Sequence, residues 1–204
     1  MTKNMNAPSI RGPLDHSVRE QIVEAAFEHF GHYGYEKTTV AELAKSIGFS
    51  KSYIYKFFDS KQAIGEVICA NRLAIIRDIV NAAIVDAPTA SEKIRRLFRA
   101  LSESGCDLFF HDRKLHDIAA VAVRDKWPSA QAHEQLLRQL IEQIIVEGRQ
   151  AGEFERKTPL DETADAIFMV MRPYISPVLL QYNLETAQAA AVLLPSLILR
   201  SLSP

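Results

Sequence analysis

Two segments, residues 39–47 and 50–58, are each too short to stand alone as a helix, and they meet at a glycine, Gly48. Isolated helices shorter than about a dozen residues are marginal in water, so tertiary packing must hold both. Thr39-Val40-Ala41-Glu42 reads as a capping box, in which hydroxyl and carboxylate each satisfy an orphan amide. Ser50 is suited to cap the second segment, and Gly48 to turn the chain sharply between the two. Apolar residues recur at fixed offsets: Leu43, Ile47, Phe49, Ile54 and Phe57, with the small Ala44 where the two helices must approach closely. The pattern predicts a helix-turn-helix, whose second helix is shaped to enter a DNA major groove. The side chains left over on that second helix are Lys51, Ser52, Tyr53, Tyr55 and Lys56, which bring hydrogen-bond donors and no large aliphatic group. A helix meant for burial would not carry that face.

The rest of the chain reads as helix throughout. Val18, Ile22, Ala26 and Phe30 recur every fourth residue, and Gly34 suits a left-handed C-terminal cap. Asp15 or Ser17 is placed to cap the start of this helix. A longer helix is expected from Ser60 to about Val85, then a linker at Asp86-Ala87-Pro88 and a second capping box at Thr89-Ala90-Ser91-Glu92. Further helices are expected to about Phe110, over 112–126, and from Pro128 to Ala151-Gly152. Thr158-Pro159 repeats the cap-then-proline start. Two long helices, 159–182 and 184–202, should complete the chain, each kinked at its proline, Pro177 or Pro195. No segment alternates as a strand would. The expected fold is all-α with about nine helices: a flexible arm over residues 1–14, a three-helix head over 15–62, and a helical body over 63–204.

In Thr38-Thr39-Val40, Ala44, Gly48-Phe49-Ser50-Lys51 and Tyr55-Lys56-Phe57-Phe58-Asp59-Ser60-Lys61, the chain resembles the tetracycline-repressor (TetR) family. Ile22, Ala25-Ala26, Phe30 and Gly34-Tyr35 extend the match through the first helix, so that it covers roughly residues 17–67. The resemblance implies a DNA-binding head, a connecting fourth helix, and a helical body that binds a small-molecule effector and forms a homodimer on a palindromic operator. The stretch 111–127 and residues 147–154 vaguely resemble members that control efflux pumps. An alternative is a DNA-binding regulator with no small-molecule effector.

Chemistry and resemblance together assign candidate DNA contacts. Lys51, Tyr55 and Lys61, with the hydroxyls of Thr39 and Ser50 at helix starts, suit phosphate oxygens. Ser52 and Tyr53 open the recognition helix and suit base edges. Lys3 and Arg11 in the arm are placed to track the backbone or minor groove. The formal net charge is −1, but residues 45–61 hold four lysines, Lys45, Lys51, Lys56 and Lys61, against the single acid Asp59.

In the body, Phe109, Phe110, Trp127, Phe168, Met171 and Tyr174 are expected to line a pocket for a mainly apolar effector, with Arg172 among its polar contacts. The two C-terminal helices should dimerise through Ala166, Ile167, Val170, Ile175 and Leu179 on one and Ala187, Ala190, Ala191, Leu194 and Ile198 on the other. Cys69 and Cys106 are far apart and read as reduced thiols. With no signal-like N-terminus and no run of about 20 clean apolar residues, the expectation is a cytoplasmic protein without a membrane span. His111, Asp112 and His116 do not share a helix face, so no metal site is expected. The sequence also offers no catalytic constellation, no cofactor signature and no reason to expect an enzyme.

Overall fold

The computed structural model describes residues 13–204, which form ten helices and no strand. They divide into two units between Gly65 and Glu66. The expected arm, with Lys3 and Arg11, lies outside the described residues except for Pro13 and Leu14. Those two already belong to the first helix, so neither Asp15 nor Ser17 is its cap.

The head is built on α1 (Pro13–Tyr33), α2 (Val40–Ser46) and α3 (Lys51–Ile54). Ile22, Ala26 and Phe30 of α1 are buried with Leu43 and Ala44 of α2 and with Ile54 of α3. Gly34 closes α1 at φ 88°, its N–H donating to the Phe30 carbonyl at 2.8 Å, and Gly48 turns between α2 and α3 at φ 72°. Both angles lie where a Cβ would be strained.

The recognition helix is shorter than its pattern suggested, a single α-turn rather than residues 51–58. The bonds from Lys56 N to Tyr53 O and from Phe57 N to Ile54 O span three residues, so the helix tightens as it ends. Two contacts fix this tighter ending. The Arg19 guanidinium draws out the Phe57 carbonyl at 2.7 Å, and Phe58 turns back into the core beneath the same guanidinium, 4.2 Å from its ring centre.

The body comprises α4 (Lys61–Ile84), which starts in the head, then α5 (Ala90–His111), α6 (Arg113–Arg124), α7 (Pro128–Gln150), α8 (Leu160–Ile175), α9 (Pro177–Leu180) and α10 (Leu184–Ser201). Thr89 caps α5 with its hydroxyl on Glu92 N at 3.1 Å. The second half of the expected box is rearranged. Glu92 turns to Arg96, and the Glu153 carboxylate reaches from a distant turn to accept from Ala90 N and Ser91 N, both at 3.0 Å. The core gathers Leu97 and Phe98 of α5, Ile141 and Ile145 of α7, Phe168 of α8 and Ile198 of α10.

The expected helix over 159–182 is in fact two. Pro177 lacks an N–H and forces Ser176 into an extended conformation (φ −81°, ψ 125°), so α8 ends and α9 starts afresh. Pro195, by contrast, stays inside α10, and Pro173 stays inside α8. At the start of α8, Pro159 occupies the cap position and no side chain caps it, so Thr158 does not play the expected part.

Candidate nucleic-acid interface and body cavity

The capping box at α2 forms in full. Glu42 N meets Thr39 Oγ1 at 3.2 Å, and Glu42 Oε2 accepts from both Thr39 N and Thr39 Oγ1 at 2.8 Å. The Thr39 backbone N–H, and then its hydroxyl, hold the Glu42 carboxyl below its ordinary range. Ser50 caps α3, its Oγ accepting from Tyr53 N at 3.1 Å. These two caps set the ends of the short helices, leaving Thr39, Ser50, Lys51, Ser52, Tyr55 and Lys56 exposed.

Tyr55 is 42% exposed, with the Lys51 ammonium 5.7 Å from its ring centre. Tyr53 is placed differently. Its half-buried ring lies between Phe49 and Phe57, edge-on at 5.0 and 5.3 Å, with Lys56 over it at 5.6 Å. Most of Tyr53 therefore packs the turn between α2 and α3. Lys56 joins the exposed polar face although it was not among the assigned contacts. Its signal was present in the sequence, on the same polar stripe.

Lys61 departs most from expectation. Its ammonium donates to the carbonyls of Tyr35 at 2.9 Å, Thr38 at 3.1 Å and Glu36 at 3.5 Å, and lies 4.4 Å above the Tyr35 ring. Burial lowers its pKa, partly offset by Glu36. With its ammonium on three carbonyls, Lys61 fastens α4 to the turn between α1 and α2. Arg19, which sequence reasoning passed over, does similar work at the end of α3.

In the body, α4 to α9 enclose a cavity of about 90 Å³, measured where the centre of a water molecule fits. Leu73 and Ile76 come from α4, Leu101 and Leu108 from α5, Val123 from α6 and Leu137 from α7, with Phe168 and Ile175 closing the α8 side. Among the residues assigned to a pocket, only Phe168 and Arg172 lie on this wall.

The others serve elsewhere. Phe109 stacks edge-on against His116 at 4.9 Å beneath Arg113, and Phe110 is 65% exposed. Trp127 is buried away from the cavity, and Met171 belongs to the core. Tyr174 packs on that core beside Phe98. Apart from the exposed Phe110, these aromatic side chains pack within the protein, while aliphatic residues from α4, α5 and α7 form much of the lining.

The polar members of the lining include His133, Glu134 and Arg172. Burial, reinforced by the nearby charge of Arg77, lowers the His133 pKa to about 4, so the ring is neutral at pH 7. Cys69 also faces the cavity, its thiol pushed up by burial. His111 pairs with Asp107, and His116 sets Nε2 3.0 Å from the Pro177 carbonyl, so these two rings have separate duties.

The free apolar surface of α8 and α10 overlaps the expected face only in part, with Ala166 and Val170 exposed. Ile167, Ala187, Ala190 and Ile198 are buried within the chain itself, whereas Met169, Val170, Val192, Leu193 and Leu197 are exposed. No helix among the described residues is long and apolar enough to cross a membrane.

Comparison with known proteins adds a second, independent line. Residues 22–67 match the family described as bacterial regulatory proteins, tetR family, and residues 90–192 match the tetracyclin repressor-like C-terminal domain. The HTH-type transcriptional regulator BetI of Cronobacter sakazakii is 27% identical over 145 residues, 71% of this chain and 69% of that protein. The negative regulator IcaR of the biofilm operon icaADBC in Staphylococcus aureus is 37% identical over 49 residues, 24% of this chain and 26% of its own length. Among solved structures, a TetR-family regulator of Pectobacterium atrosepticum superposes with a TM-score of 0.72 at 13% identity, covering 95% of this chain and 98% of that one. FadR of Bacillus subtilis, solved with stearoyl-CoA, superposes with a TM-score of 0.62 at 19% identity, covering 89% and 95%.

Proposed function

The chain belongs to the tetracycline-repressor family of transcriptional regulators, and from that premise we propose that it is a cytoplasmic repressor, dimeric on a palindromic operator and released by a small, mainly aliphatic effector. The observation that carries this reading is α4. One continuous helix holds Lys61 on the carbonyls of the head and puts Cys69, Leu73 and Ile76 on the cavity wall. A ligand that prefers one placement of α4 therefore biases the spacing of two recognition helices. Such a preference shifts the population between DNA-competent and DNA-incompetent dimers, with a typical coupling of about 1–3 kcal/mol.

In the DNA complex, Lys51, Lys56 and Tyr55 meet phosphate, with the hydroxyls of Thr39 and Ser50 beside them. Ser52 reads base edges, with the outer rim of Tyr53 next to it. Lys61 positions this surface from behind. The dimer forms where Met169 and Val170 of α8 and Leu193 and Leu197 of α10 leave apolar side chains in water. A two-fold axis there buries the same patch on both protomers. Half-sites then repeat at about 34–36 Å or a multiple of it.

Fluorescence anisotropy of the purified protein on promoter-proximal DNA, titrated with salt, tests the DNA-binding half. Nanomolar binding with a steep salt slope is expected. Micromolar binding that ignores sequence would defeat the operator reading. Operator release by a compound that binds the body tests the other half.

A further inference from the structure

The effector reading leaves open what kind of molecule the cavity takes, and its polar side chains bear on that. Arg172, from the last turn of α8, and Glu134, on α7, both reach the cavity wall. Neither forms an ion pair or a side-chain hydrogen bond among the described residues, although they carry opposite charge. Arg138, four residues along α7 from Glu134, is by contrast paired with Asp165. His133 also faces the cavity without a hydrogen bond to the protein, and as a neutral ring it offers one donor and one acceptor. Three polar groups without a protein partner thus stand among aliphatic walls, His133 and Glu134 half-buried and Arg172 exposed, so their hydrogen-bonding capacity is free for a ligand.

The chemistry of those groups sorts candidate ligands. A guanidinium asks for an anionic or strongly accepting oxygen, and it binds a carboxylate in a bidentate fork. A carboxylate asks for a donor. A simple fatty acid answers Arg172 but offers Glu134 no donor. A lipophilic amine answers Glu134 and meets Arg172 as a like charge. A flat aromatic ring finds Phe168 as the one phenyl ring on a wall made mostly of leucine, isoleucine, valine and alanine.

We propose, building on the effector reading, that the cavity takes a short aliphatic molecule whose head both accepts from Arg172 and donates to Glu134, the simplest such class being the β-hydroxy carboxylic acids. The acid oxygens lie on Arg172, the hydroxyl donates to Glu134, His133 takes a remaining hydrogen bond, and the alkyl tail lies among Leu73, Leu101 and Leu137. A cavity of about 90 Å³ favours a short alkyl tail, and a six-carbon acid serves as the probe.

The test is calorimetric titration of the full chain with β-hydroxyhexanoate, hexanoate, hexanol, hexylamine and benzoate. β-Hydroxyhexanoate is expected to bind about tenfold or more tighter than any of the other four, as a site built for a hydroxyl discriminates against its absence. Arg172→Gln is exposed enough to fold normally. It should cost both aliphatic acids about tenfold and leave hexanol unchanged. Glu134→Leu should remove the advantage of the hydroxyl and raise hexanoate to the level of β-hydroxyhexanoate. Ala130→Leu, which fills the cavity, should abolish binding of all probes and so place them there.

The proposal is overturned if hexanoate, hexylamine, hexanol or benzoate binds as tightly as the hydroxy acid, if Arg172→Gln leaves acid binding intact, or if none of the five binds. Operator affinity is measured in parallel. A hydroxy acid that fills the cavity and leaves operator binding unchanged would defeat the effector reading while keeping the ligand class. Release of operator by hexanol alone would do the reverse.

Discussion

Lys61 and Tyr35 are joined twice: the ammonium donates to the Tyr35 carbonyl at 2.9 Å and rests 4.4 Å above the tyrosine ring. The pair ties the first turn of α4 to the chain leaving α1, and the Thr38 carbonyl at 3.1 Å extends the tie to the edge of α2.

That geometry predicts an unusual signature for Lys61→Met. A lysine on phosphate releases counterions, so its loss lowers the salt slope of DNA binding by about one. A lysine on carbonyls loosens the head instead. Operator affinity should fall for every sequence alike with the salt slope unchanged, and the head should lose about 1–2 kcal/mol of stability, the half-exposed end of the range for hydrogen bonds to a charge. Anisotropy at several salt concentrations, with urea unfolding beside it, separates the two roles. A slope lower by one with stability intact would return Lys61 to the phosphate contacts.

Leu193 and Leu197 face water on α10 at 65% and 57% exposure, one turn apart. In an isologous dimer each substitution appears twice across the axis. Leu193→Glu with Leu197→Glu is expected to raise the dimer dissociation constant about 100-fold or more, roughly 3 kcal/mol, by placing like charges in an apolar contact. The isolated protomer should keep its helical content, because neither side chain contributes to its core. Sedimentation velocity at micromolar concentration reads the result, and an unshifted dimer peak would move the interface off this face.

The head was legible in the sequence to the level of individual hydrogen bonds, because its signals are local. A capping box spans four residues, and a left-handed glycine announces itself wherever a short helix must stop. Thr39, Glu42, Ser50, Gly34 and Gly48 all act within a turn of their own position. Two local readings still failed, the Asp15 or Ser17 cap and the length of the recognition helix, and two contacts were missed because they are non-local: Arg19 reaches a carbonyl 38 residues away, and Lys61 one 26 residues away.

The body's helices were also legible, but the lining of its cavity was not. Helical periodicity tells which face is apolar, not whether that face meets another helix or a void. Met171 and Phe168 lie on the same buried face of α8, yet only Phe168 reaches the cavity. Ser176 shows the same limit in the backbone. The proline after it promised a kink, and only the structure shows a full break with a new helix beyond.

Gly148 lies inside α7 with no room for a side chain. A Cβ there would overlap the Cδ2 edge of Phe154, whose ring is buried. Helix propensity alone would reward alanine by about 1 kcal/mol, but overpacking a filled core costs about 1–3 kcal/mol. Gly148→Ala is therefore expected to be destabilising on balance, by about 1–2 kcal/mol, in urea unfolding. Adding Phe154→Leu should recover part of that loss. A more stable Gly148→Ala protein would mean that the ring moves aside freely.

His133 makes the stability of the body depend on pH in a window of its own. Folded, its pKa stands at about 4, depressed by burial and by Arg77; unfolded, the ring titrates near 6.5. Between those values the unfolded chain holds a proton that the folded chain does not, so stability falls as pH falls from about 6.5 towards 4. At about 1.4 kcal/mol per pH unit, the interval from 6.5 to about 4 amounts to about 3.5 kcal/mol. Glu42, Glu153 and Glu155 have folded pKa values below their ordinary 4.5, and their contributions are lost only beneath that value. The interval from pH 6.5 to about 5 thus isolates His133 from these carboxylates. His133→Gln keeps a polar side chain of similar reach without the titration. Urea midpoints for both proteins at half-unit steps should diverge at neutral pH least and near pH 5 most, with the variant the flatter of the two. Parallel curves across that interval would show that His133 takes up its proton without resistance from the fold, and would withdraw the neutral ring from the cavity wall.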